Sequence, residues 1–172
     1  VIAENPFIAM RALCELPVDW EHGPAAGLSS DDVRAALAKA LDSDDGSHTF
    51  HSVGDARAAL KRGKVLEMRY EVPYLAHGAL EPVNCTVQVD GRKARVWVST
   101  QVPMAARKAV ASVLGLRGDD VEMHQLLLGG AFGRRLEVDF IAQAAAIARH
   151  AAPKPVQTIW TRPQEIGRAP SE

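Results

Sequence analysis

Cysteine, aromatic residues, net charge and long apolar runs are all scarce, and most of these shortages close off a class of protein. Cysteine occurs only twice in 172 residues, as Cys14 and Cys85. So far apart, the two make no metal-ligand pair; a disulfide between them has no support in the sequence, and they read as two buried thiols. The formal net charge is −1, so the overall balance favours neither nucleic acid nor an anionic membrane. Any basic feature has to be local. No apolar run approaches about 18 residues, so no membrane-spanning helix is expected. Aromatics supply 5 % of the residues, against 47 % apolar and 24 % charged, a balance ordinary for a globular protein. The opening "VIAENPF" lacks the cationic and apolar regions of a signal peptide. Its first three residues read as a strand already under way, so a fragment of a longer chain is expected. The length suits one or two small domains.

What is present is a succession of short periodic segments without an internal repeat. Residues 1–22 read as strand, helix, strand: Val1-Ile2-Ala3, then a helix from Pro6 to Leu16, then the alternating "PVDWEHG". Ser29 caps a clear helix over 29–42, with Asp32 completing a weak capping box and Val33, Ala36, Leu37, Ala40 and Leu41 on one face. The polar stretch "DSDDGSHTFHS" reads as a surface loop, and Asp55 as the cap of a short helix closed by Gly63. From Val65 the pattern changes. "VLEMRYEV" alternates as a half-buried strand. "CTVQV" and "ARVWVS" flank Asp90-Gly91, a strong hairpin signal. A helix from Pro103 to Gly115 follows, then the strand "VEMHQLLL", a helix from Glu137 to His150, the strand "VQTIWT" and the start of a further helix. The fold class is therefore α+β, a mixed sheet with a β-hairpin and flanking helices.

The most informative stretch is "LLLGGAFGRR", Leu126 to Arg135, where an apolar run taken as buried meets a glycine-rich turn and two cations. Glycines permit positive φ and close approach of a ligand. Successive amides can form an anion-binding concavity, with Arg134 and Arg135 as a bidentate clamp. The motif is neither a P-loop nor a dinucleotide fingerprint, and a plain strand-to-helix connection with surface arginines is the commoner outcome. Gln101, in "STQVP", stands where a strand meets a helix and offers one donor and one acceptor; a capping or solvent-facing role is the bland alternative. His77 and Glu81 lie four residues apart, but Gly78 and Pro82 oppose the helix a zinc pair would need. His48 and His51 read as solvated, and His124 as a packed strand residue.

Together and in order, "YEVPYLAHGALEPVNCTVQVDGRKARVWVSTQVP", "LLLGGAFGRRLEVDFIAQAAAIA" and "VQTIWTRPQEI" resemble the large subunit of molybdenum hydroxylases, the xanthine dehydrogenase and aldehyde oxidase family. The branch most resembled is isoquinoline 1-oxidoreductase beta-subunit-like. The resemblance implies that residues 1–64 are the end of an α/β-hammerhead-like domain plus a linker, and residues 65–172 the first part of a molybdenum-cofactor-binding domain. It implies that Gln101 hydrogen-bonds an oxo ligand of molybdenum, and that Gly129, Gly130, Ala131, Phe132, Gly133 and Arg134 lie against the pterin and the metal, with Phe132 also walling the substrate pocket. The metal would be held by the pterin dithiolene, so no protein ligands are implied. The cofactor would be a molybdenum-pterin, in its cytosine dinucleotide form. The partners would be an iron–sulfur small subunit with two 2Fe–2S clusters and an aldehyde or N-heterocycle, hydroxylated with water-derived oxygen.

Two departures from the family pattern stand out. Arg134 and Leu136 replace a glycine and an acid that many members carry, with Glu137 one place late. The resemblance also implies that the family's glutamate base falls outside these residues, so no catalytic residue is assigned within them. Two other classes remain open at this point: a non-catalytic module binding a small ligand or another chain, and a phosphate or nucleotide binder using the glycine turn. The compartment, cytoplasm or periplasm, is also open.

Overall fold

A computed structural model describes residues 1–43 and 47–167. By its internal contacts the chain divides into two units: Val1–Cys14 together with the residues from Val72 onward, and Glu15–Glu71.

The larger unit holds a four-stranded sheet in the order β3-β2-β1-β4. The strands are β1 (Asn84–Asp90), β2 (Lys93–Val98), β3 (Val121–Gln125) and β4 (Val156–Ile159). β1 and β2 form the expected hairpin, with Asp90 opposite Lys93 and Cys85 opposite Val98. Its turn uses Gly91 at φ +56°, a conformation that costs glycine little. β4 adds antiparallel to β1. β3 pairs parallel with β2, which requires a crossover, and α4 (Pro103–Leu114) supplies it. Pro103 opens α4, and Gly115, in the left-handed region, closes it. α5 (Asp139–Ala148) packs beside α4 on the same side of the sheet.

Alternation decides which sheet face is covered. Cys85, Val87, Ala94, Val96, Val98 and Val121 are all buried, against Ala106 and Val110 of α4 and Phe140, Ile141 and Ala144 of α5. The small side chains on α5 let the helix lie close to the valine-rich face, so a sheet with one helical layer makes the core. Burial pushes the Cys85 thiol up to about 12. α6 (Arg162–Gly167) follows β4, where the start of a helix was expected.

α1 (Pro6–Glu15) precedes all of this. The Asn5 side chain accepts from the Ile8 amide at 3.0 Å, yet no residue of α1 is buried. In the Glu15–Glu71 unit, α2 (Ser30–Leu41) carries the full capping box between Ser29 and Asp32, and Asp55 caps α3 (Ala56–Leu60). No described residue of this unit is buried.

Several expectations need correction. Residues 1–3, 17–22 and 65–72 are not strands. Alternation provides two faces, but a strand also needs a ladder partner, and these segments have none among the described residues. Leu66, Tyr70 and Val72 are consequently more than 80 % exposed. Cys14 is exposed, not buried. Leu126, Leu127 and Leu128 are exposed, because β3 ends at Gln125 and the chain leaves the sheet. α5 begins at Asp139, two residues later than Glu137, because a 3-10 turn occupies Arg134–Leu136. Of the polar loop after α2, residues 44–46 lie outside the described residues.

Candidate functional site

The glycine turn connects β3 to α5, and it is sewn to the rest of the larger unit from behind. Three residues depart from ordinary backbone: Gly130 at φ +103°, Phe132 at +52° and Gly133 at +96°. Phe132 is the only non-glycine residue with positive φ among those described, a conformation that has to be enforced by its surroundings. Four carbonyls of the turn are taken. That of Gly129 accepts from the Glu81 amide, that of Ala131 from Arg134 and that of Gly133 from Leu136. That of Gly130 accepts from Arg135 Nε at 3.0 Å. The amide of Gly129 donates to Glu81 Oε2 at 2.9 Å. The amides of Gly130, Ala131, Phe132 and Gly133 donate to no group among the described residues. A consecutive run of free N–H groups is what an acceptor-rich ligand needs.

The two arginines are neither surface groups nor a solvent-facing clamp. Arg134 is 3 % exposed and Arg135 fully buried. Arg134 makes a two-pronged pair with Asp139, both contacts 3.0 Å, and its guanidinium lies 5.2 Å from the Trp160 ring centre and 5.8 Å from that of Phe140. Arg135 uses its whole fork: Nη1 donates to Ser99 O and Oγ, Nη2 to Glu81 O and, at 2.8 Å, to Glu81 Oε2. Planar geometry with five donors is what makes this possible; lysine could not reproduce it.

Glu81 is the residue that spacing could not place. Its Oε2 meets Arg135 and the Gly129 amide, while Oε1 accepts from Asn84 at 2.9 Å. Burial pushes its acidity down, but the bonds from Asn84, the Gly129 amide, Arg135 and Ser99 outweigh that and hold its pKa below the ordinary value. His77 lies beside Gly133, where an added Cβ would stand 3.5 Å from the imidazole. The residues that organise the turn (Glu81, Ser99, Thr100 and Arg135) were missed as a set. The signal that could have found them is the pairing of one carboxylate with one arginine across otherwise apolar strand ends.

Gln101 is brought to this turn through the backbone. Its amide donates to Arg135 O at 3.0 Å, and Thr100 Oγ1 donates to the same oxygen at 3.1 Å. Gln125 Nε2 in turn donates to Thr100 O at 2.9 Å. The Gln101 side chain is exposed and does not cap α4, whose N-cap is Val102 without a side-chain bond. Phe132, 74 % exposed, stands on the same turn as the free amides. Among the described residues no group of three His, Cys, Asp or Glu side chains is arranged to hold a metal.

Backbone donors on a turn backed by two buried arginines could receive a preformed, acceptor-rich group. Residues 41–171 match the family model of the molybdopterin cofactor-binding domain, and the chain belongs to that family. The beta subunit of isoquinoline 1-oxidoreductase from Brevundimonas diminuta is 40 % identical over 106 residues, covering 60 % of this chain and 13 % of that protein. A nicotinate dehydrogenase subunit from Pseudomonas putida is 30 % identical over 168 residues, covering 96 % of this chain and 14 % of that protein. The molybdenum-binding subunit of an Escherichia coli aldehyde oxidoreductase is 27 % identical over 164 residues, covering 95 % of this chain and 22 % of that protein. The chain thus spans less than a quarter of the length of these relatives.

The fit to a molybdenum-pterin is testable on the turn itself. Its unpaired amides are neutral donors suited to oxo and thiolate acceptors, and its one protruding side chain, Phe132, is apolar and suited to packing on a flat ring. The residues present fit the group.

Proposed function

We propose that these residues form part of the molybdenum-pterin seat of an oxidoreductase acting on aldehydes or N-heterocycles. The observation that carries this reading is the run of amides from Gly130 to Gly133 without a partner among the described residues, backed by paired carbonyls at Gly129, Gly130, Ala131 and Gly133. When bound, the cofactor, in its cytosine dinucleotide form, would supply the redox centre for hydroxylation of the substrate with water-derived oxygen. The amides of Ala131, Phe132 and Gly133 would hold it by donating hydrogen bonds, Gly129 and Gly130 would let the backbone lie close, and Gln101 would donate its side-chain amide to an oxygen of the group. Arg134 would contribute from behind, by fixing the turn against Asp139. Phe132 would exclude water from one side and wall the substrate space. Electrons would leave through an iron–sulfur small subunit with two 2Fe–2S clusters. Residues 65–172 would then be the first part of the cofactor domain, and residues 1–64 the end of an α/β-hammerhead-like domain with its linker. The names of the relatives support the substrate classes.

The test is molybdenum content of the full-length subunit by elemental analysis, paired with Gln101→Ala in the same protein. The protein is expected to carry molybdenum, and Gln101→Ala to retain it while losing about tenfold or more in kcat, the scale of one lost donor at a reacting centre. A protein devoid of molybdenum when produced in a host that makes the cofactor would overturn the reading. Turnover unchanged within about twofold would remove Gln101 from the site.

A further inference from the structure

We propose that Arg135, held by Glu81, is a positioning residue that sets the donor turn and Gln101 in register with one another. Resting on the cofactor reading above, this adds a device that neither the family match nor the relatives' names assign. The case is geometric. The Arg135 guanidinium holds the turn twice: directly, through Gly130 O at 3.0 Å, and indirectly, through Glu81, whose Oε2 also takes the Gly129 amide at 2.9 Å. The same guanidinium holds the end of β2 through Ser99 O at 3.0 Å. Its own carbonyl takes the Gln101 amide and the Thr100 hydroxyl. One residue therefore touches both halves of the seat, with its side chain on one half and its main chain on the other. No charge is spent on the ligand, since Arg135 is fully buried.

A mere space-filling or charge-balancing role would not need a fork. Lysine keeps the charge and most of the length but presents a single ammonium, which cannot reach Gly130 O, Ser99 O and Glu81 together in the arginine geometry. Its packing against the sheet ends would survive, and so would part of the ion pair. Gly129 adds a second constraint: a Cβ there would fall 2.5 Å from Glu81 Cβ, so the carboxylate arm and the turn are already at contact distance. Any slackening of the arm is transmitted to the turn.

The experiment compares wild type, Arg135→Lys and Glu81→Gln in the purified protein by hydrogen exchange, thermal unfolding and molybdenum content. The exchange is read in the peptides covering residues 126–136 and 99–103, with β1 and α5 as internal controls. Both variants are expected to speed exchange by about tenfold or more in the first peptide while β1 and α5 stay protected, as local rather than global opening requires. Arg135→Lys is also expected to speed the second, and to lower molybdenum content even where its melting temperature stays close to wild type. Unchanged exchange at the turn in both variants overturns the proposal. Exchange rising equally in β1 and α5 overturns it too, because Arg135 would then be a general structural residue. The two readings fail separately: a wild type without molybdenum whose turn still loosens in both variants sinks the cofactor reading and leaves the positioning role standing.

Discussion

The two units of this chain use the same local signals and reach different ends. Between Glu15 and Glu71, α2 has a complete capping box and α3 a capping aspartate, yet no described residue there is buried. In the larger unit, α5 has no side-chain cap at all, yet its Phe140, Ile141, Ala144, Ala145 and Ala148 are all buried. Caps determine where a helix starts; burial determines whether its loss is felt. The same contrast separates the cations. Arg34 pairs with Asp31 and Glu71 at the surface, with its side chain 55 % exposed. Arg134 pairs with Asp139 almost without exposure.

The largest effect should come from breaking the buried pair. Arg134→Ala is expected to destabilise the larger unit by about 3–5 kcal/mol, because a buried two-pronged ion pair is broken and the rings of Phe140 and Trp160 lose their cover. Arg34→Ala should leave stability close to wild type, as solvent-screened surface pairs do. Chemical denaturation of the two variants checks the contrast, and equal losses would erase it.

A smaller effect should follow at the turn. In Gly129→Ala the new methyl would meet Glu81 Cβ, which sits on the backbone and cannot swing away. Overpacking of this kind is expected to cost about 1–3 kcal/mol. By contrast, Gly27→Ala in the other unit, where an added Cβ has nothing within 4 Å, should be neutral or slightly favourable through the unfolded chain. Melting temperatures of the two variants decide it; a neutral Gly129→Ala would mean the turn is not held as tightly as its bonds imply.

The contrast also explains how much was legible beforehand. The hairpin at Asp90-Gly91, the crossover helix α4 and the caps of α2 and α3 were readable because each rests on residues a few positions apart. The false strands at 1–3, 17–22 and 65–72 show the limit of that reading: alternation records a preference for two faces, and pairing depends on a partner far along the chain. The family was legible in three ordered motifs, with residues 41–171 matching the cofactor-binding domain, and so was the glycine turn as a turn. Its mechanism of support was not recognisable. Arg134 and Arg135 are adjacent in sequence but bind Asp139 and Glu81 respectively, and no local pattern distinguishes a buried arginine from a surface one. Only the partners do, and Glu81 lies on the far side of the hairpin, α4 and β3.

The subtlest expected effect is a dependence on acid. Glu81 is bonded as a carboxylate by Asn84, the Gly129 amide, Arg135 and Ser99, and these outweigh the burial that opposes its ionisation. Its pKa in the folded state therefore lies below the value in the unfolded chain. A depressed carboxylate contributes stability that is fully present above its unfolded pKa and is lost as pH falls through the folded one. The window accordingly opens at the ordinary glutamate range and extends below it; between neutral pH and that range, the turn should not change. On acidification, exchange in residues 126–136 should rise before that of the sheet core. In Glu81→Gln this early step should vanish, leaving a turn that is already loose at neutral pH and insensitive to acid. Helix α2 supplies the control, since its exposed Asp32 is also held below its usual pKa, by the Ser29 side chain and then the Ser29 amide. Acid should fray the first turn of α2 in wild type and Glu81→Gln alike. An acid response of the 126–136 peptide that persists in Glu81→Gln would assign the proton to another group and detach Glu81 from the turn.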